Sequence, residues 1–120
     1  MNYTSIKQSQ KLLELGLNPE TSDMIYSMVN GRSTPFIRLE KINELDELHD
    51  VVCWSVGALL ELLPKRLEIV DNVYELSVYL YGLYYWNITN GNLCFEAKDK
   101  DNLVDACVDM IIRLNELKIL

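Results

Sequence analysis

Apolar residues in this chain change their spacing at Arg66. Upstream, Val56, Leu59, Leu60 and Leu63 fall at i, i+3, i+4 and i+7, the pattern of one face of a helix. Downstream, Leu67-Glu68-Ile69-Val70 reads as a strand, and Glu75 to Ile88 alternates with a period of two. The helical spacing then returns in Leu103, Cys107, Met110, Leu114 and Leu117, a stripe widened by Ala106 and Ile111. Helix, strands and helix in that order specify an α+β domain.

Local signals mark the ends of the helices. Ser55 is the N-cap of the central one, Trp54 before it fixes the angle at which the chain enters, and Pro64 stops it. Gly57 within so short a helix costs about 1 kcal/mol against alanine, which close approach of a neighbouring backbone would explain. A first helix spans residues 5 to 15. Ser5 and Gln8 form its capping box, and Gly16 ends it in the left-handed region with Leu17 folded back on Leu12. Asn18-Pro19 prevents resumption, and Asp101 caps the last helix.

The strands are marked by their turns. Met24 to Val29 has strand composition and runs into Asn30-Gly31, a hairpin signal whose partner is Phe36-Ile37-Arg38-Leu39. Pro35 removes a donor there and assigns the partner to an edge. Leu39, Ile42, Leu45 and Leu48 recur at intervals of three, so residues 40 to 52 form a short amphipathic helix or an ordered loop leading to Trp54. Residues 75 to 88 are long for one strand and hold Gly82 near the middle, so they split into a hairpin turning near Tyr81-Gly82. Asp71-Asn72 and Asn90-Gly91 are further turns, the second leading into Leu93 to Ala97. The expected architecture is a single domain, residues 1–120, with a mostly antiparallel sheet of four to six strands and three helices packed on one face.

Charge narrows the function classes. Eleven basic and 18 acidic side chains give a net charge of −7, which opposes wrapping a nucleic-acid backbone, so no direct nucleic-acid binding is expected. The acid is densest from Glu40 to Asp50, where Glu40, Glu44, Asp46, Glu47 and Asp50 are opposed only by Lys41. That segment is either a solvated loop or a docking surface for a basic partner. The run from Leu76 to Ile88 is uncharged but too short to span a bilayer. Met1-Asn2-Tyr3-Thr4 is not a basic, apolar leader, so the expected location is cytoplasmic, with no membrane. Cys53, Cys94 and Cys107 are widely spaced among apolar neighbours and read as buried free thiols.

Catalytic and metal-binding patterns are not found. Any Ser/His/acid triad or Cys/His dyad has to use His49, the only histidine, which lies in the acidic stretch. His49 and Cys53 at i, i+4 make at most half a zinc site, with no C-x-x-C beside them. Asp105 and Asp109 sit one turn apart, but Arg113 follows Asp109 at the spacing of a surface ion pair. Neither a dinucleotide nor a P-loop fingerprint occurs. The expectation is therefore no catalytic residue, no metal ligand and no cofactor.

Aromatic density is the feature that points to a function. Tyr74, Tyr79, Tyr81, Tyr84, Tyr85 and Trp86 crowd one hairpin. Uniform alternation through it puts Leu76, Val78, Leu80, Tyr84, Trp86 and Ile88 toward the core, and Tyr79, Tyr81, Leu83 and Tyr85 on the open side. Uncharged aromatic surface is enriched at interaction sites. Tyr79, Tyr81, Leu83 and Tyr85 are thus the candidate interface, most simply that of a homodimer. Internal packing and stacking on a ligand are the alternatives.

Three ordered blocks stand out: Tyr3-Thr4-Ser5-Ile6 through Asp23-Met24, Trp54-Ser55-Val56-Gly57-Ala58-Leu59-Leu60-Glu61-Leu62-Leu63-Pro64, and Asn102-Leu103-Val104-Asp105-Ala106-Cys107-Val108-Asp109-Met110-Ile111. Together they resemble a group of small uncharacterised proteins from phages, integrated elements and genomes of gut Bacteroidales. Residues 30 to 50 and 64 to 98 fit the group less clearly. The resemblance implies a mobile-element origin and carries over no catalytic residue. The resulting expectation is a non-enzymatic interaction or accessory protein of a phage or mobile element, binding itself or another protein. An acidic nucleic-acid mimic that inhibits a host DNA-binding enzyme and an antitoxin-like module are the alternatives.

Overall fold

Helix α1 (Ile6–Glu14) opens on the expected capping box: Ser5 Oγ accepts from Gln8 N at 3.1 Å, and Gln8 Oε1 accepts from Ser5 N at 2.9 Å. It closes at Gly16, whose φ of 95° suits a residue without Cβ. Leu17 N then donates to Leu12 O and Gly16 N to Leu13 O, satisfying two of the last carbonyls. These elements belong to a computed structural model that describes residues 2–27, 35–37, 50–98 and 101–120.

A 3-10 turn, Pro19–Thr21, leads into strand β1 (Met24–Ser27). It is the central strand of a three-stranded antiparallel sheet, between β2 (Phe36–Ile37) and β3 (Asp50–Cys53). Strand β2 takes the edge, where the missing donor of Pro35 breaks no ladder. Asp50, Val51 and Val52, read from spacing as the end of a helix or loop, are strand residues here. The Asn30-Gly31 turn and residues 40 to 49 lie outside the described residues.

Helix α2 (Val56–Leu62) is capped by Ser55 Oγ, which accepts from Ala58 N at 3.2 Å. Leu59 within it and Leu63, its C-cap, are buried in the core. Gly57 is exposed, and among the described residues the only atom near a Cβ placed there is Ser55 Oγ at 3.8 Å. No backbone among the described residues approaches closely enough to explain this glycine.

Strands β4 (Arg66–Ile69), β5 (Asn72–Tyr79), β6 (Gly82–Asn87) and β7 (Leu93–Ala97) form a second antiparallel sheet in chain order. The α+β class is as expected, and the described residues hold three α-helices, but their seven strands divide between two sheets. The first turn of the second sheet falls at Val70-Asp71, one residue earlier than the sequence suggests, with both φ angles positive (45° and 64°). Tyr85 pairs with Phe95 and Trp86 with Leu93, which leaves Cys94 as an extra residue on β7.

Helix α3 (Leu103–Glu116) lies against β6 and β7 and also meets α1 and α2. Its cap is Asn102 rather than Asp101: Asn102 Oδ1 accepts from Asp105 N at 2.9 Å. Cys107, Met110 and Leu114 are fully buried, as are Val104, Ala106 and Ile111. Leu117 leaves the expected stripe and is exposed, because the helix ends on it. Lys118 turns the chain with a φ of 60°, Ile119 N donates to Leu114 O at 2.9 Å, and Ile119 packs on the core in its place.

One core runs through the molecule. Leu12 from α1, Val52 and Trp54 from the first sheet and its exit, Leu59 and Leu63 from α2, and Leu83, Tyr85 and Ala97 from the second sheet all join α3 there. The first sheet adds a polar seam. Tyr26 Oη donates to Thr4 O at 2.8 Å, Trp54 N donates to Thr4 Oγ1 at 3.1 Å, and Thr4 and Ser9 share a hydroxyl bond of 2.8 Å. Ser9 interrupts the apolar stripe of α1 because it is buried with a partner, which removes most of the cost of burying a hydroxyl.

Candidate functional site: the open face of the second sheet

The hairpin of β5 and β6 turns on two residues, Leu80 and Tyr81, with Tyr79 paired to Gly82. An odd residue thus faces an even one across the turn, so inward and outward positions exchange between the strands. On β5, Tyr74, Leu76 and Val78 lie on the helix side; on β6, Leu83, Tyr85 and Asn87 do. The opposite face carries Glu75, Ser77, Tyr79, Tyr84 and Trp86.

This register corrects half of the expected interface. Leu83 and Tyr85 are fully buried under α3 and cannot touch a partner in the folded chain. The Tyr85 hydroxyl donates to Pro64 O at 2.7 Å, its ring meets Phe95 edge-on at 6.4 Å, and burial, reinforced by Cys107, raises its phenol pKa. Tyr79 and Tyr81 are exposed, at 39% and 52%. Tyr84 and Trp86, read from the sequence as core residues, lie on the open face instead.

The open-face rings are fixed in place. Trp86 Nε1 donates to Ser77 Oγ at 3.0 Å, which holds the indole across the strands. Tyr79 and Tyr84 pack with centroids 5.9 Å apart and planes tilted by 47°. Gly82 makes this possible: a Cβ there would stand 2.5 Å from Ala97 O and 2.6 Å from the Tyr79 hydroxyl. Ser77, Tyr79, Tyr84 and Trp86, with Gly91, Leu93 and Glu96, line an open groove of about 670 Å³.

A second, smaller hollow of about 300 Å³ lies under the hairpin turn. Leu80 and Tyr81 line it together with Asn2, Val56, Asn102 and Leu103. Val78 belongs to the helix side of β5 but is 46% exposed, and Leu80 is 73% exposed. The turn therefore ends in uncovered apolar surface.

The other candidate groups have structural partners. Asp105 Oδ1 accepts from Gln8 Nε2 at 2.8 Å, tying α3 to α1. Asp109 pairs with Arg113 at 3.2 Å, as its spacing suggests, while Arg113 also donates to Glu96 O at 2.6 Å. Asp23 receives both the backbone N–H and the hydroxyl of Ser55, bracing the start of α2. Cys53 and Cys107 are buried, and burial pushes both thiols up to about 12. Cys94 is exposed, contrary to the sequence reading, because it is the extra residue of the β7 irregularity. His49 and the acidic residues Glu40, Glu44, Asp46 and Glu47 lie outside the described residues.

Among the described residues no group of three or more His, Cys, Asp or Glu side chains is placed to hold a metal, and no helix is long and apolar enough to cross a membrane. Comparison with protein-family models, curated proteins and solved structures returns no match.

Proposed function

We propose that this chain is a non-enzymatic interaction protein, an accessory of a phage or mobile element, that pairs with a second copy through the end of the β5–β6 hairpin. The observation that carries the reading is uncovered apolar surface at Val78, Leu80 and Tyr81, in a stretch with no charged residue between Glu75 and Glu96. Two copies that each carry −7 repel, which favours a contact where neither presents charge. The hairpin end meets that condition and offers aromatic surface of the kind enriched at protein contacts. Tyr79 borders the patch, while Leu83 and Tyr85 hold the hairpin from beneath. The resemblance of the three sequence blocks to phage and mobile-element proteins supports the setting.

Sedimentation equilibrium from low to high micromolar concentration tests this reading. The native chain is expected to pass from monomer to dimer. Tyr81→Glu, at an exposed turn position where a carboxylate disturbs no packing, is expected to weaken the dimer at least about tenfold. A native chain that stays monomeric at high micromolar concentration contradicts the proposal.

A further inference from the structure

We infer that the groove on the open face of the second sheet binds an arginine-bearing segment of a partner protein. This site lies on the sheet face beside the hairpin end, with Tyr79 at the border between them, and it does not require two copies to pair.

The argument starts from what the groove presents. Trp86 spends its indole N–H on Ser77, so the ring offers a π face and no donor. Tyr79 and Tyr84 add two rings at 47° to each other, forming angled walls instead of a flat shelf. Aromatic faces carry negative potential and attract cations, guanidinium more often than ammonium. Glu96 adds a carboxylate to the lining, and no lysine or arginine lines the groove among the described residues.

Two cations among the described residues are already engaged. Arg66 is held by Glu75 at 2.8 Å, and Lys98 lies 3.6 Å from Glu96 at the rim. Lys98 is mostly exposed, so its pairing with Glu96 is screened and exchangeable. A guanidinium stacked on Trp86 or Tyr84 has the shape to fork onto the Glu96 carboxylate, which a compact ammonium does less well. Ser77 Oγ remains able to accept a further bond.

Size and charge choose among occupants. At about 670 Å³ the groove exceeds one side chain, and it is open, which suits an extended segment with its arginine on the rings. Nucleobases stack on such rings too, but their phosphates would meet Glu96 and a chain of net charge −7. A basic protein segment meets neither objection.

The test follows the indole N–H signals of Trp86 and Trp54 by two-dimensional NMR of the intact chain. The probes are a short glycine–serine peptide with arginine at its centre and the same peptide with citrulline, which keeps the shape and removes the charge. The arginine peptide is expected to shift the Trp86 signal saturably, with the citrulline peptide about tenfold weaker. Trp54, buried and bonded to Thr21, is expected to stay still. Glu96→Gln, an isosteric change at a partly exposed position, is expected to weaken the arginine peptide severalfold without moving the free spectrum elsewhere. Equal binding of the two peptides, indifference to Glu96→Gln, or a Trp86 signal that does not move overturns the inference. Tyr81→Glu is expected to leave this titration unchanged, which separates its failure from that of the pairing proposal.

Discussion

The two faces of the β5–β6 hairpin are built from the same residue types and have opposite roles. On one face Leu83 and Tyr85 are sealed under α3, with the Tyr85 hydroxyl bonded to Pro64 O. On the other, Tyr79, Tyr84 and Trp86 lie along an open groove, braced by Ser77 and by each other. Aromatic content alone therefore does not distinguish core from contact surface. What distinguishes them is the two-residue turn, because it decides which face each ring takes.

The largest expected effect belongs to the covered face. Leu83→Ala leaves a cavity beneath α3 and should cost about 3 kcal/mol in urea denaturation. Next comes Gly82→Ala, whose new Cβ meets a backbone oxygen at 2.5 Å and displaces the Tyr79 ring. Its expected cost is about 2 kcal/mol, and it should disturb both faces at once. A loss within about 0.5 kcal/mol for either variant would break the distinction drawn here.

Alkaline pH sharpens the same contrast through the covered thiols. Cys53 and Cys107 keep their protons up to about 12 in the folded chain because burial disfavours the thiolate, against an ordinary value of 9.0. With the folded value raised, their contribution is complete below about pH 9 and is lost as pH rises toward about 12, since the unfolded chain gains from ionising first. Each thiol is expected to remove about 1 kcal/mol per pH unit in that window. Urea midpoints measured at intervals from pH 8 to higher values check the slope, and a flat profile contradicts the burial of these groups. The smallest effect is assigned to the open face: Tyr84→Ala should change stability by less than about 1 kcal/mol. A larger loss would show that this ring is part of the fold's support and not spare surface.

Helix ends were the most legible part of the sequence, because caps are local. Ser5 with Gln8, Gly16 with Leu17, and Ser55 each act within a few residues of the signal. Face assignment was less legible, because alternation fixes neighbours within a strand but carries no memory across a turn. Glu75 and Ser77 mark the outward side of β5, and following the two-residue turn from there places Leu83 and Tyr85 inward. The division into two sheets was not legible at all. Helix α2 and Pro64 separate β3 from β4, and strand periodicity does not state which strands pair. Cys94 escaped for a related reason: the register irregularity that exposes it arises from pairing with β6.

Hydroxyl-radical footprinting of the tyrosines across a range of protein concentrations tests the central claim most directly. Tyr81 is expected to label readily in dilute solution and to become protected as copies pair, while Tyr85 stays unlabelled throughout. Labelling of Tyr85 at a rate like that of Tyr81, or a Tyr81 signal independent of concentration, would contradict it.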